Sequence, residues 1–257
     1  MDRSDIDWHG SFAVIVTPFT ADGDIDEPAY RQVVDLVIDA GCHGVISAGS
    51  TGEFFLMANE ERKRVFSIAA DQAGERIPVL AGVSASRTDD VVDLTRSAAG
   101  SGCAGIMLLP PLYIGVDNRE LFEFYSRVSG EGGLPIMLYN GNSPTFLTPQ
   151  RVERLMRLDN VVAIKDSSRD TKQMDDLVRI CGDDIRIFVG EEHLLLASIA
   201  AGAVGAVAMT PQVVGRMAVD LYEAAAAGQM DRARELHHKM VRVYDLFNVG
   251  SGYVALK

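Results

Sequence analysis

The segment Val161-Val162-Ala163-Ile164-Lys165-Asp166-Ser167-Ser168 runs from β-branched apolar residues straight into charge. Its apolar part reads as a buried strand of a parallel sheet, and an ammonium at the end of such a strand is costly unless the protein uses it. Lys165 is therefore the first candidate for chemistry. A desolvated lysine loses its proton more readily than the reference pKa of about 10.4 allows, so its amine can attack a carbonyl carbon and form a Schiff base. Taken alone, the segment also fits a strand-end lysine that pairs with Asp166 or stands in water.

Other groups would complete such chemistry. Gly49-Ser50-Thr51-Gly52-Glu53 reads as a turn leading into a helix, where backbone N–H groups and two hydroxyls can cradle a carboxylate; the same residues also serve as ordinary helix caps. Tyr139 closes the apolar run Pro135-Ile136-Met137-Leu138-Tyr139, either as a rim phenol or as a core tyrosine with its hydroxyl at the edge. Thr17, Tyr113 and Gly190-Glu191-Glu192 also follow apolar runs. On one rim, these groups supply what carbonyl chemistry through an imine requires. The amine attacks a keto group, the phenol relays protons, and the cradle holds the adjacent carboxylate.

The elements that must position them alternate between short apolar strands and amphipathic helical stretches. Strands are expected near 12–16, 44–48, 78–82, 105–109, 135–139, 161–165, 186–190 and 204–208. Their starts lie roughly 18 to 34 residues apart, room for one crossover helix each. Residues 28–40 carry helical spacing behind a proline suited to a first turn, and Gly41, Gly102 and Gly202 suit helix ends that feed the next strand. Eight such units without a Pro/Gly/Ser-rich linker predict an α/β fold, a (β/α)8 TIM barrel with its site at the C-terminal ends of the strands. The alternative is an open doubly wound sheet, which normally brings a glycine-rich nucleotide turn, and no G-x-G-x-x-G follows the first strand. Beyond residue 211 the pattern is helical only, over 212–227 and 229–247. The expected division is a catalytic barrel over 1–228 and a C-terminal helical extension over 229–257.

The chain of 257 residues is 47% hydrophobic with a formal net charge of −12. That charge excludes a nucleic-acid or anionic-membrane surface, which depends on basic patches, and it repels anionic substrates at long range, so an acid must be held by local donors. No apolar run approaches the length of a membrane span, and Met1-Asp2-Arg3-Ser4-Asp5 lacks the layout of a signal peptide; the expected location is cytoplasmic. Cys42, Cys103 and Cys181 are scattered and odd in number, which fits buried thiols and neither a disulfide framework nor a metal site. Asp22-Gly23-Asp24-Ile25-Asp26-Glu27 is a solvated acidic turn, since the sixth and twelfth positions of a calcium loop are held by Glu27 and Val33. His237 and His238, about 100° apart on a helix, do not form a ligand pair. His193 follows the two glutamates near the rim as a weak candidate for substrate contact.

Val16-Thr17-Pro18-Phe19, Gly49-Ser50-Thr51-Gly52-Glu53, Leu138-Tyr139-Asn140 and Ile164-Lys165-Asp166 occur in this order at consistent separations. In this the chain resembles the pyruvate-dependent class I aldolases, which include dihydrodipicolinate synthase and N-acetylneuraminate lyase, over about Gly10 to Tyr253. The resemblance implies that Lys165 forms an imine with pyruvate or another 2-keto acid and that Tyr139 is the relay phenol. Ser50 and Thr51, in the turn opened by Gly49, would bind the carboxylate. Tyr113 resembles a tyrosine that reaches across a subunit interface, and Gly190 a glycine whose carbonyl lies near the second substrate. It further implies a homodimer or homotetramer without cofactor or metal. Two features depart from the family. Where the synthases that make the lysine precursor carry an arginine that grips a second carboxylate, the run Gly141-Asn142-Ser143-Pro144-Thr145-Phe146 places Pro144. This favours a neutral or sugar-derived aldehyde, or dehydration of a 2-keto-3-deoxy sugar acid; a non-catalytic keto-acid-binding barrel is the competing class. Relatives also continue for another helix pair beyond the stretch Gly252-Tyr253-Val254-Ala255-Leu256-Lys257, so the extension is expected to be short.

Overall fold

Short β-branched runs separated by capped helices close into a barrel. In a computed structural model, which describes residues 3–141, 143–246 and 256, the strands are Gly10–Val14 (β1), Gly44–Ser47 (β2), Val79–Gly82 (β3), Gly105–Leu108 (β4), Ile136–Asn140 (β5), Val161–Asp166 (β6), Arg186–Val189 (β7) and Gly205–Ala208 (β8). They pair in parallel, in sequence order, and β8 returns to β1. The expected (β/α)8 barrel is the architecture found. Asn142 and Tyr253 lie outside the described residues.

The helices are Glu27–Asp39 (α1), Asn59–Ala73 (α2), Thr88–Gly100 (α3), Asn118–Gly132 (α4), Pro149–Leu155 (α5), Thr171–Cys181 (α6), Leu195–Ala201 (α7), Pro211–Val214 (α8), Arg216–Ala226 (α9) and Met230–Leu246 (α10). Their starts follow local chemistry. Asp26 accepts from the Ala29 N–H ahead of α1, with Pro28 in the first turn, and Asp117 and Glu120 form a reciprocal capping box on α4. Two expectations shift. The first strand begins at Gly10 and ends at Val14, because the Val16 N–H leaves the ladder for Gln212 Oε1 at 2.8 Å while Gln212 Nε2 donates to Val14 and Met209 carbonyls. One side chain thus stitches the end of β1 to the β8 loop. The helix expected over 212–227 is two, because Gly215 takes a positive φ of 57° that no helix accommodates.

The barrel interior is filled by Phe12, Val14, Ile46, Leu80, Met107, Met137, Ala163, Phe188 and Val207, with Trp8 across the bottom. Residues two apart on a strand share a face. Ala163 therefore places Lys165 inward above it, and Met137 does the same for Tyr139. The outward faces pack against the helices; Ala233, Leu236 and Met240 of α10 join that outer core. The three cysteines are buried and free. Among the described residues no helix is long and apolar enough to cross a membrane, and no cluster of His, Cys, Asp or Glu could hold a metal ion.

Candidate active site

Lys165, the penultimate residue of β6, is 5% exposed. Register places it directly beside Tyr139 on β5, and its Nζ lies 4.3 Å from the centre of the tyrosine ring. A cation over a phenol face is attracted by the ring quadrupole. Among the described residues no carboxylate forms an ion pair with this amine.

The pairing of Lys165 with Asp166 that the sequence left open is not what forms. Neighbours on a strand point to opposite faces. Asp166, itself buried, accepts from Asn140 Nδ2 at 2.7 Å and from the Ser168 hydroxyl at 2.6 Å. Burial raises its carboxyl above the ordinary value, and these hydrogen bonds partly offset the shift. Asn140 Oδ1 in turn accepts from the Leu147 N–H at 2.9 Å. Asn140 and Asp166 thus pin the loops after β5 and β6 behind the two reactive side chains, a role the sequence reading did not assign.

Gly190 closes in from β7. A methyl placed there would stand 2.7 Å from Lys165 Cε and 2.0 Å from Ser167 Oγ, so only glycine leaves room for the lysine stem. Two residues on, Glu192 is 4% exposed; one oxygen accepts from the Thr210 N–H at 2.9 Å and from the Thr210 hydroxyl. Its Oε2 is buried without a partner among the described residues. Burial pushes this carboxyl up, against the pull of the Thr210 and Met209 hydrogen bonds and the Lys165 charge. Sequence reading had only the Glu191-Glu192 pair after an apolar strand as a signal, and it did not separate the two.

The turn after β2 stands across the mouth, since β2 and β6 are four strands apart in a closed barrel of eight. Thr17 donates its hydroxyl to the Gly52 carbonyl at 2.8 Å, and the buried Tyr30 hydroxyl meets Ser47 Oγ at 2.7 Å beneath it. Ala48 and Glu53 hold positive φ of 50° and 58° at the two ends of the turn. The turn feeds a single 3-10 turn over Phe54–Leu56, and α2 begins only at Asn59, which corrects the expectation of a helix directly behind it. Gly49 opens the turn above Val14 and Met107 of the interior. Thr51 is buried, and neither its hydroxyl nor that of Ser50 is engaged among the described residues.

Tyr113 does not join this group. Its side chain is 92% exposed on the loop after β4, next to the exposed Ile114, with Phe55 and Leu56 also exposed beyond the turn after β2. His193 lies with its ring 5.2 Å from that of Tyr244 on α10.

The model of the dihydrodipicolinate synthetase family matches residues 7–257. The 4-hydroxy-tetrahydrodipicolinate synthase of Trichlorobacter lovleyi is 34% identical over 250 residues, covering 96% of this chain and 86% of that protein. The corresponding synthase of Thermodesulfovibrio yellowstonii is 34% identical over 90% of this chain and 80% of its own. Among solved structures, a prophage protein of the dihydrodipicolinic acid synthase family from E. coli K12, crystallised with pyruvate, superposes with a TM-score of 0.93 at 27% identity, covering 97% of this chain and 86% of that one. Sequence likeness across almost the whole length and a superposable barrel point the same way: this chain belongs to the dihydrodipicolinate synthetase family.

Proposed function

We propose that this protein is a class I lyase in which Lys165 forms an imine with pyruvate or a related 2-keto acid. The observation that carries the reading is a buried lysine amine with no carboxylate partner among the described residues, set over the Tyr139 ring at the mouth of a parallel barrel. The relatives' names and the pyruvate complex of a structural neighbour support it.

The neutral amine attacks C2 of the keto acid, a C–N bond forms, and the former carbonyl oxygen leaves as water after taking two protons. Tyr139 passes them. The imine draws electrons from C3, which loses a proton to give an enamine, and that carbon adds to an aldehyde. Hydrolysis returns the product and the free amine; the reverse course cleaves the same bond. Ser50 and Thr51, in the turn opened by Gly49, hold the carboxylate with hydroxyl and backbone donors. The Gly190 carbonyl faces the second substrate, and Tyr113 serves the site of a second copy of the chain in a homodimer or homotetramer. Pro144, where a guanidinium would grip a second carboxylate, favours a neutral or sugar-derived partner, including dehydration of a 2-keto-3-deoxy sugar acid.

Borohydride in the presence of pyruvate reduces such an imine to a stable secondary amine. Mass spectrometry is expected to find one pyruvate adduct on Lys165, absent in Lys165→Ala; no adduct, or equal labelling of the variant, refutes the proposal. A barrel that merely binds keto acids would neither condense pyruvate with any member of an aldehyde panel nor dehydrate deoxy-keto acids.

A further inference from the structure

Arg62 lies on α2 with 2% of its surface exposed, and among the described residues no carboxylate forms an ion pair with it. Its partners are backbone carbonyls. Nη1 donates to Ser84 at 2.9 Å and Nη2 to Gly82 at 2.5 Å, while Nε is buried without a partner among the described residues. Asp90 of α3 attracts it from beyond ion-pair distance, and that carboxylate lies 3.9 Å from Arg87. Burial pulls the Arg62 pKa down to about 10, so the guanidinium stays charged at neutral pH. A buried charge without a counter-ion is costly to a fold, and no step of the imine chemistry uses this one.

The atoms that hold this side chain are those that frame the turn after β2. Gly82 ends β3 with its backbone pressed against that turn: a methyl there would collide with the Ala48 carbonyl and stand 3.1 Å from the Gly49 nitrogen. On the other side, the guanidinium carbon lies 5.1 Å from the centre of the Phe54 ring. The Phe54 N–H donates to the Gly49 carbonyl at 3.4 Å, which closes a loop containing Ser50 and Thr51. Arg62 therefore bonds to the strand under the start of this loop and covers the residue at its end. The same loop carries the buried carboxylate of Glu53, so without Arg62 the local charge would be negative.

We infer that Arg62 is a fixed positive charge behind the Ser50-Thr51 turn, which attracts the carboxylate of the keto acid through the turn without touching it and so selects keto acids over uncharged ketones. The inference rests on the imine reading above, in which that turn holds the carboxylate. A chain of net charge −12 repels an anion at long range, and hydroxyls and backbone N–H groups bring no full charge to offset it. A guanidinium in the low-dielectric interior acts over a longer distance than one in water, and salt does not screen it as it would a surface arginine. Its hydrogen bonds to Gly82 and Ser84 fix its place before substrate arrives, so binding requires no reorganisation.

The test compares pyruvate with its uncharged methyl ester in borohydride trapping on Lys165, for the wild type, Arg62→Lys, Arg62→Gln and Arg62→Met, each with a thermal melt. Lysine keeps the charge; glutamine drops it but keeps N–H donors for the carbonyls; methionine drops both. The ratio of trapping rates at subsaturating concentration, pyruvate over ester, is expected to fall about tenfold in both neutral variants, the attraction between unit charges about 12 Å apart at an effective dielectric constant of about 20. In Arg62→Lys the ratio should hold. An arginine that only braces β3 against the turn would slow both compounds alike, so an unmoved ratio in a folded neutral variant overturns the inference. A ratio lost equally in Arg62→Lys also overturns it, by assigning the effect to the hydrogen bonds, and so does failure of both neutral variants to fold, by assigning the charge to the fold. The wild type separates the two readings: no adduct with either compound refutes the imine, whereas a normal pyruvate adduct with an unmoved ratio refutes only the role of Arg62.

Discussion

Adding a single methyl at Gly190 should disable the amine while leaving the barrel standing. Gly190 is not among the glycines with a positive φ, so alanine brings no backbone penalty. The new carbon would lie 2.7 Å from Lys165 Cε, against an ordinary carbon–carbon separation of about 3.5–4.0 Å. The lysine stem must therefore retreat by about 1 Å, and Ser167, whose Oγ would be 2.0 Å away, must rotate. Both atoms belong to side chains rather than backbone, so the stability cost falls near the low end of overpacking, about 1 kcal/mol, or roughly 2–4 °C in a protein of this size. A reacting atom displaced by 1 Å loses about a hundredfold in rate. The assay is the rate of borohydride-trapped pyruvate adduct on Gly190→Ala, with a thermal melt on the same sample. Trapping at the wild-type rate with the midpoint within a few degrees would refute both the assignment of Lys165 and the claim that glycine is needed to seat it.

Asn140→Ala strands Asp166 Oδ1 and the Leu147 N–H, both buried; at about 1–3 kcal/mol per stranded group, the thermal midpoint should fall by roughly 10 °C, and an unchanged midpoint would show that the loops are pinned elsewhere. Glu192 gives a pH test. Its folded carboxyl titrates above the ordinary value of 4.5, so between the two values the unfolded chain binds fewer protons than the native one, and stability falls as pH rises through the folded pKa. Glu192→Gln should flatten that part of the midpoint-against-pH curve, leaving the smaller slope from Asp166, whose carboxyl is shifted in the same direction; identical curves for variant and wild type would place the charge cost elsewhere.

The strands and most helices were legible because their signals are local. A β-branched run such as Val161-Val162-Ala163-Ile164, or an aspartate three residues ahead of a helical N–H, acts through neighbours in the chain. The candidates Lys165, Tyr139, Ser50 and Thr51 were visible because each polar residue follows an apolar strand, and a parallel barrel gathers all such ends on one face. What the sequence left open needed atoms from distant segments. Gln212 truncates β1 by bonding almost two hundred residues back. Asp166 turns to Asn140 instead of Lys165 because the register of β5 against β6 supplies that partner. Glu192 loses contact with water only when Thr210 folds over it, and the guanidinium of Arg169 is set by Glu191 and a helix more than seventy residues away. Hydrophobic period and capping are properties of a short window and so are written in the sequence alone; burial, orphaned oxygens and the aim of a charged side chain depend on which segments the barrel closes against one another, and only the tertiary structure decides them.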